Sequence, residues 1–174
     1  MSGCETLKFA GNEVNSGGEV DIELVTTLTR DLRELIGELD QVLAAEYPPE
    51  QQHGLTLTAL FQPHIRFFVA RLNGDAVGCG GIALFEDFAE VKRMYVRGAV
   101  RGRGVARALL ARIEIEARAA GLLILRLETG ERQVAALRLY AMGGFEPCAA
   151  FGDYMTMRTE AIATSVFLEK RLSI

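Results

Sequence analysis

Cysteine, histidine and long apolar runs are all scarce in this 174-residue chain, and each shortage removes a class of protein. Cys4, Cys79 and Cys148 are odd in number, far apart and without CxxC spacing, so neither a disulfide framework nor a zinc site is indicated. They read as small apolar filler. His53 and His64 stand in no ligand or triad pattern and read as structural or surface residues. No stretch approaches the ~18 apolar residues of a membrane span. The start, MSGCETLKFAGN, lacks the basic flank and apolar core of a secretory signal, so a cytoplasmic protein with no membrane partner is expected. A formal charge of −4 argues against nucleic acid as the main partner, because a phosphate backbone rewards a wide positive surface. No metal is expected.

What remains is ordinary globular material: 49% apolar and 24% charged residues, enough for one domain with a substantial core. Residues 1–18 are polar and weakly patterned and read as a loose extension; residues 19–174 form the domain. Glu19 to Val25 alternates acidic with apolar residues and predicts a strand. Arg30 to Ala45 carries an apolar stripe at helical spacing, stopped by Tyr47-Pro48-Pro49. Thr56 to Phe61 predicts a second short helix. Phe67 to Leu72 and Ala76 to Phe85 predict a hairpin about Asn73-Gly74, with Gly78, Gly80 and Gly81 marking a bulge or a close backbone approach. Glu90 to Val96 predicts a third strand. Gly104 to Ala120 predicts a helix with Val105, Leu109, Ile113, Ala117 and Ala120 inward, ended by Gly121. Leu122 to Leu127 predicts a strand buried on both faces. Gln133 to Met142 predicts a helix with Val134, Leu137 and Ala141 inward. Phe145 to Ala149 and Ser165 to Leu172 predict closing strands, and Ala150 to Thr164 has no assignable pattern. That order of elements indicates an α+β fold.

The stretch Val91 to Gly121 concentrates basic residues, with no acid before Glu114. A helix start has four backbone N–H groups without internal partners and a positive dipole end. Most helices satisfy one of them with Ser, Thr, Asp or Asn. Here the start follows Arg101-Gly102-Arg103-Gly104, with no such side chain, and the glycines let an anion approach the backbone. Arg97, Arg101 and Arg103 add charge. A dinucleotide fingerprint fits poorly, since Arg107 stands where the third glycine belongs, and no GxxxxGK[ST] loop is present.

Arg101-Gly102-Arg103-Gly104-Val105-Ala106 resembles the [QR]-x-x-G-x-[GA] signature of the GNAT superfamily of acyl-CoA-dependent N-acyltransferases, and Leu139-Tyr140-Ala141-Met142-Gly143-Gly144-Phe145 resembles its LYxxxGF segment. The resemblance implies a GNAT-like mixed, mostly antiparallel sheet flanked by helices. It implies acetyl-CoA as co-substrate, with pyrophosphate on Arg101 to Ala106 and the thioester along Met94, Tyr95 and Val96. The Met94 N–H would meet the oxyanion. Tyr140 would protonate the leaving thiolate. Glu90 would take the amine proton, with Glu128 as the second candidate. Gln133 would replace the family's asparagine at the pantetheine arm. The acceptor implied is a primary amine of a small molecule, attacked in a ternary complex, with a homodimer as the assembly. A protein lysine or N-terminal acceptor, and a non-catalytic acyl-CoA sensor, are the alternatives. Glu46-Tyr47, Phe85 to Phe88 and Gly152 to Thr164 would wall the acceptor site, and Glu46, Glu128 and Asp153 would favour a cation.

Overall fold

Asn73 and Gly74 adopt φ of 53° and 90°, the paired left-handed conformations of a type I′ turn, whose twist suits the strands it joins. The computed structural model, which describes residues 7–9 and 18–174, places β3 (Ile65–Leu72) and β4 (Asp75–Leu84) on either side of that turn. β1 (Leu7–Phe9), β2 (Val20–Val25) and β5 (Ala89–Val96) complete an antiparallel run, followed by β6 (Ile124–Gly130), β7 (Glu146–Pro147) and β8 (Ser165–Arg171). Among the described residues the strands form one sheet in the order β1-β2-β3-β4-β5-β6-β8-β7. The parallel contact in it is β5 with β6. The extension expected over residues 1–18 therefore holds a strand, Leu7–Phe9, paired with Val20–Ile22.

Three α-helices cover the sheet among the described residues. α1 (Arg30–Glu46) starts at Thr29, whose hydroxyl accepts from Leu32 N–H at 3.2 Å, a cap worth ~1 kcal/mol. Its Leu32, Leu35 and Ile36 pack on one face of the sheet with Leu60, Phe67, Val69, Cys79 and Ala83. α2 (Val105–Ala119) lies on the other face, where Leu109, Ile113 and Ala117 meet Phe68, Ile82, Leu125 and Leu127. Ala120, expected inward, is exposed at the helix end. There Gly121 takes φ 75°, and Gly121 N–H and Leu122 N–H bond the carbonyls of Arg118 and Ala117. That pair of bonds is a Schellman cap. α3 (Val134–Met142) turns one position from the expected phase. Val134 and Ala141 are exposed, while Ala136, Leu137 and the buried Tyr140 face the core.

Other departures have local causes. Thr56 to Phe61 yields a single 3-10 turn at Ala59–Phe61; the Thr56 hydroxyl bonds Ala59 N–H at 3.3 Å and so competes with helix propagation. The strand expected from Leu122 begins at Ile124 and alternates, with Leu125 and Leu127 buried and Arg126 and Glu128 on the α1 side. The strand expected over Phe145 to Ala149 shrinks to Glu146–Pro147 at the sheet edge, since Pro147 has no N–H to extend the ladder. The unassigned segment folds a 3-10 turn at Gly152–Thr156.

Two irregularities of β5 make a gap in the sheet. Cys79 pairs with Tyr95 but Gly81 pairs with Lys92, so β5 carries one extra residue there. Arg93 sits at this bulge with φ 57°, and its carbonyl accepts from Cys79 Sγ at 3.6 Å. The extra residue switches faces: Ala89 and Val91 point to the α2 layer before the bulge, and Met94 and Val96 do so after it. The glycines opposite serve close approach as well, since a Cβ on Gly80 would lie 2.4 Å from Met94 Sδ, and one on Gly78 2.8 Å from the Tyr95 carbonyl oxygen. β5 and β6 pair only at Ala89 with Leu125 and Glu90 with Arg126. Beyond those residues the two strands separate.

Candidate active site

The helix start singled out in the sequence is open. Gly102 and Gly104 adopt φ of 81° and 82°, and Gly104 is the N-cap of α2 with no side-chain hydrogen bond. Arg101, Gly102, Arg103 and Gly104 are exposed, Val105 is buried as the anchor, and Ala106 is partly buried. The unpaired N–H groups therefore face outward, a geometry suited to a pyrophosphate. Arg101 leans back to the Val96 carbonyl at 3.4 Å. Arg97 is turned elsewhere: its guanidinium holds Glu38 at 2.8 Å and the Ala76 carbonyl at 2.9 Å, so it adds no charge to the turn. That hydrogen bond keeps the Glu38 carboxyl below its usual range.

Where β5 and β6 part, a cavity of about 110 Å³ runs between them. Tyr140 and Ala136 line it from the α2 side; Tyr47, His53 and Tyr154 line it from the α1 side; Glu90, Lys92 and Met94 on β5 and Glu128 on β6 form its edges. Tyr140 is held by the end of its own helix. Gly144 takes φ 85°, Gly144 N–H bonds the Ala141 carbonyl, and Phe145 N–H bonds the Tyr140 carbonyl at 3.0 Å. The Phe145 ring then meets the Tyr140 ring edge-on, 5.5 Å between centroids. The LYxxxGF segment is thus a second Schellman cap, with its tyrosine and phenylalanine as the apolar pair that such caps bring together. Burial, and then the Glu128 charge, raise the Tyr140 hydroxyl above the ordinary tyrosine range, so it stays a proton donor.

The two carboxylates differ in surroundings. Glu90 is 3% exposed, and its Oε1 accepts from Lys92 Nζ at 2.6 Å and from the Tyr154 hydroxyl at 2.8 Å. Lys92 Nζ also donates to the Tyr154 oxygen at 3.1 Å, closing a three-membered cluster. Glu128 accepts from the Ser165 hydroxyl at 2.6 Å. Burial pushes its carboxyl up, against the pull of the Ser165 bond and of His53 and Lys92. His53 Nε2 lies 2.9 Å from the Ala161 carbonyl and so carries its proton there; its ring stands edge-on to Tyr154.

The remaining expected residues divide. Met94 lines the cavity. Tyr95 turns its hydroxyl to Glu38 at 3.1 Å, leaving its backbone alone beside the gap. Val96 packs toward α2. Gln133 lines the cavity, yet its amide N–H donates to Glu46. Tyr47 belongs to the cavity wall, but Phe85 and Phe88 stack on each other outside it, and Asp153 is exposed. Lys92, His53 and Ser165 were not anticipated, and Tyr154 was expected only as part of the Gly152 to Thr164 wall. Lys92 had a local signal, two residues from Glu90 on the same strand face; Tyr154 is 62 residues from Lys92 and had none.

The family model described as "Acetyltransferase (GNAT) family" matches residues 29–145. An IAA acetyltransferase from Azospirillum brasilense is 47% identical over 80% of this chain and 89% of its own length. A Klebsiella pneumoniae structure assigned as an acyl-CoA N-acyltransferase superposes with a TM-score of 0.69 at 32% identity, covering 87% of this chain and 97% of its own. A GNAT acetyltransferase from Elizabethkingia anophelis, solved with acetyl-CoA bound, shares the fold at a TM-score of 0.63 and 19% identity, covering 88% and 98%. The uncapped glycine turn and the parted strands have their explanation in that kinship: the chain belongs to the GNAT family and is an acetyl-CoA-dependent N-acetyltransferase.

Proposed function

We propose that the enzyme moves the acetyl group of acetyl-CoA to an amine of a small molecule, with Glu128 as proton acceptor and Tyr140 as proton donor. The observation that carries this assignment is that both groups reach one cavity from opposite sides of the sheet, at the point where β5 and β6 separate. The neutral amine nitrogen attacks the thioester carbonyl carbon, forming the C–N bond and a tetrahedral oxyanion, whose collapse restores the carbonyl and breaks the C–S bond. The amine proton goes to Glu128, and the Tyr140 proton goes to the departing thiolate. The Met94 N–H, beside the bulge, is the donor proposed for the intermediate oxyanion. Arg101 to Ala106 hold the pyrophosphate, and the Gln133 carboxamide oxygen is left for the pantetheine arm. Glu90 is the weaker candidate for proton removal because its Oε1 already serves Lys92 and Tyr154.

Thiol release with a panel of amines, and with IAA, tests the assignment. Tyr140→Phe is expected to lower kcat by roughly 10²-fold or more, the scale of general-acid catalysis, with acetyl-CoA affinity retained. Glu128→Gln is expected to remove the acidic limb of the kcat/KM profile. An unchanged kcat in Tyr140→Phe refutes the donor, and full rate in Glu128→Gln with loss in Glu90→Gln reverses the roles of the carboxylates.

A further inference from the structure

The cavity contains more charge than an acid and a base require. Besides Glu128 it holds Glu90 and Lys92 side by side on β5, bridged by Tyr154 from the segment that had no sequence pattern. Burying such a cluster is costly unless every charge is matched, and here each member bonds the other two. We infer that Glu90, with Tyr154 fixing the pair, is a positioning residue whose work is to counter Lys92, so that the pull of the ammonium on Glu128 across the cavity is opposed. This inference rests on Glu128 as the proton acceptor.

The surroundings of Glu128 support it. The titratable groups around the cavity are Glu90, Lys92 and Arg93 on β5, His53 in the loop after α1, Tyr47 at the end of α1, Tyr154 in the 3-10 turn and Tyr140 on α3. Arg93 is paired with Asp40 at 2.6 Å. Gln133 on the α3 side holds Glu46, and Ser165 on β8 donates to Glu128 without titrating. Lys92 and Glu90 act on Glu128 in opposite senses, the ammonium favouring the carboxylate and the second carboxylate opposing it. With both present they oppose each other, and burial raises the Glu128 carboxyl, the direction that favours proton acceptance.

The pH dependence of kcat/KM for one amine in four variants is the test. Glu90→Gln leaves Lys92 unbalanced, so Glu128 ionises more readily and the acidic limb moves down by about one pH unit. Lys92→Met leaves Glu90 unbalanced and moves the limb up by about as much. The Glu90→Gln/Lys92→Met double variant returns it to within a few tenths of wild type. A purely structural cluster would lower rates without moving the limb in opposite directions. If one single variant fails to fold, the other must still differ from the double variant by about one unit. Limbs that stay put, or move together, overturn the inference. Glu128→Gln is the control: if it keeps the limb, the proton-acceptor assignment itself has failed, whereas its loss of the limb with unmoved limbs in the other variants refutes the charge balance alone.

Discussion

Gly144→Ala is expected to damage catalysis through a helix end without touching any reacting group. Gly144 holds φ 85°, and a Cβ there would meet nothing closer than Lys170 Cε at 3.8 Å. The cost is therefore conformational, about 1–2 kcal/mol for an L-residue in the left-handed region. For a chain of this length that lowers Tm by roughly 3–5 °C. The helix end relaxes to relieve the strain, and the bond from Phe145 N–H to the Tyr140 carbonyl loosens. A penalty of 1–2 kcal/mol lowers the ratio of the productive to the relaxed helix end by a factor of roughly 5–30, so with the two ends close in energy kcat falls about fivefold while acetyl-CoA KM barely moves. Gly121→Ala supplies a matched control. It has φ 75°, open space around its Cβ position and the same pair of capping bonds, but it ends α2 away from the cavity. The two variants are compared by thermal melting and by steady-state kinetics per folded molecule. Asparagine, which tolerates the left-handed region, should restore part of the loss at position 144. Equal kinetic damage in both glycine variants, or a melting drop in Gly144→Ala with kcat intact, would refute the idea that the cap aims Tyr140.

Gly104→Val places a branched side chain at φ 82° on the uncapped start of α2; calorimetry should find acetyl-CoA binding weakened at least about tenfold, from strain and from blocked approach to the N–H groups. Binding equal to wild type would remove the turn from the donor site. Glu38 has a folded-state pKa below its unfolded value, so the stability it contributes is present above the unfolded pKa and is lost as pH falls through the folded one. Glu38→Gln should therefore flatten the low-pH decline in Tm, and an unchanged decline would show that the Arg97 contact contributes nothing.

The meander was legible because it rests on local signals: Asn73-Gly74 dictates its turn, and period-two alternation marks the strands around it. The helices α1 and α2 were legible from their stripes, and α3 was misphased by one position because its residues are apolar on nearly every side, Arg138 excepted, so that no stripe fixes its phase. The bulge went unread although the signal is there. Apolar residues of β5 fall at Ala89 and Val91 and then at Met94 and Val96, an alternation that slips by one. Tyr140 was reached through resemblance and lines the cavity, whereas the glycine turn was read from its missing N-cap side chain, and no side chain caps α2. Arg97 misled because a cation near the turn in sequence finds Glu38 on α1 in space. The Lys92–Tyr154 contact depends on a segment folded mainly by its aromatic neighbours Phe151 and Phe167, and no periodicity announces it.

The one-residue bulge at Arg93 divides β5 into two halves with separate duties. Upstream, Glu90 and Lys92 face the α1 side, where an acceptor would enter; downstream, Met94 and Val96 face the side of α2, whose start would hold the donor. Substitutions on one side of the sheet can accumulate in the first half without reaching the second. Deleting Arg93 would rejoin the halves in one phase and exchange every downstream side chain between the two sides of the sheet. Side chains in either half can vary by point mutation, but the residue count between Lys92 and Met94 has to be kept for each half to face its own side.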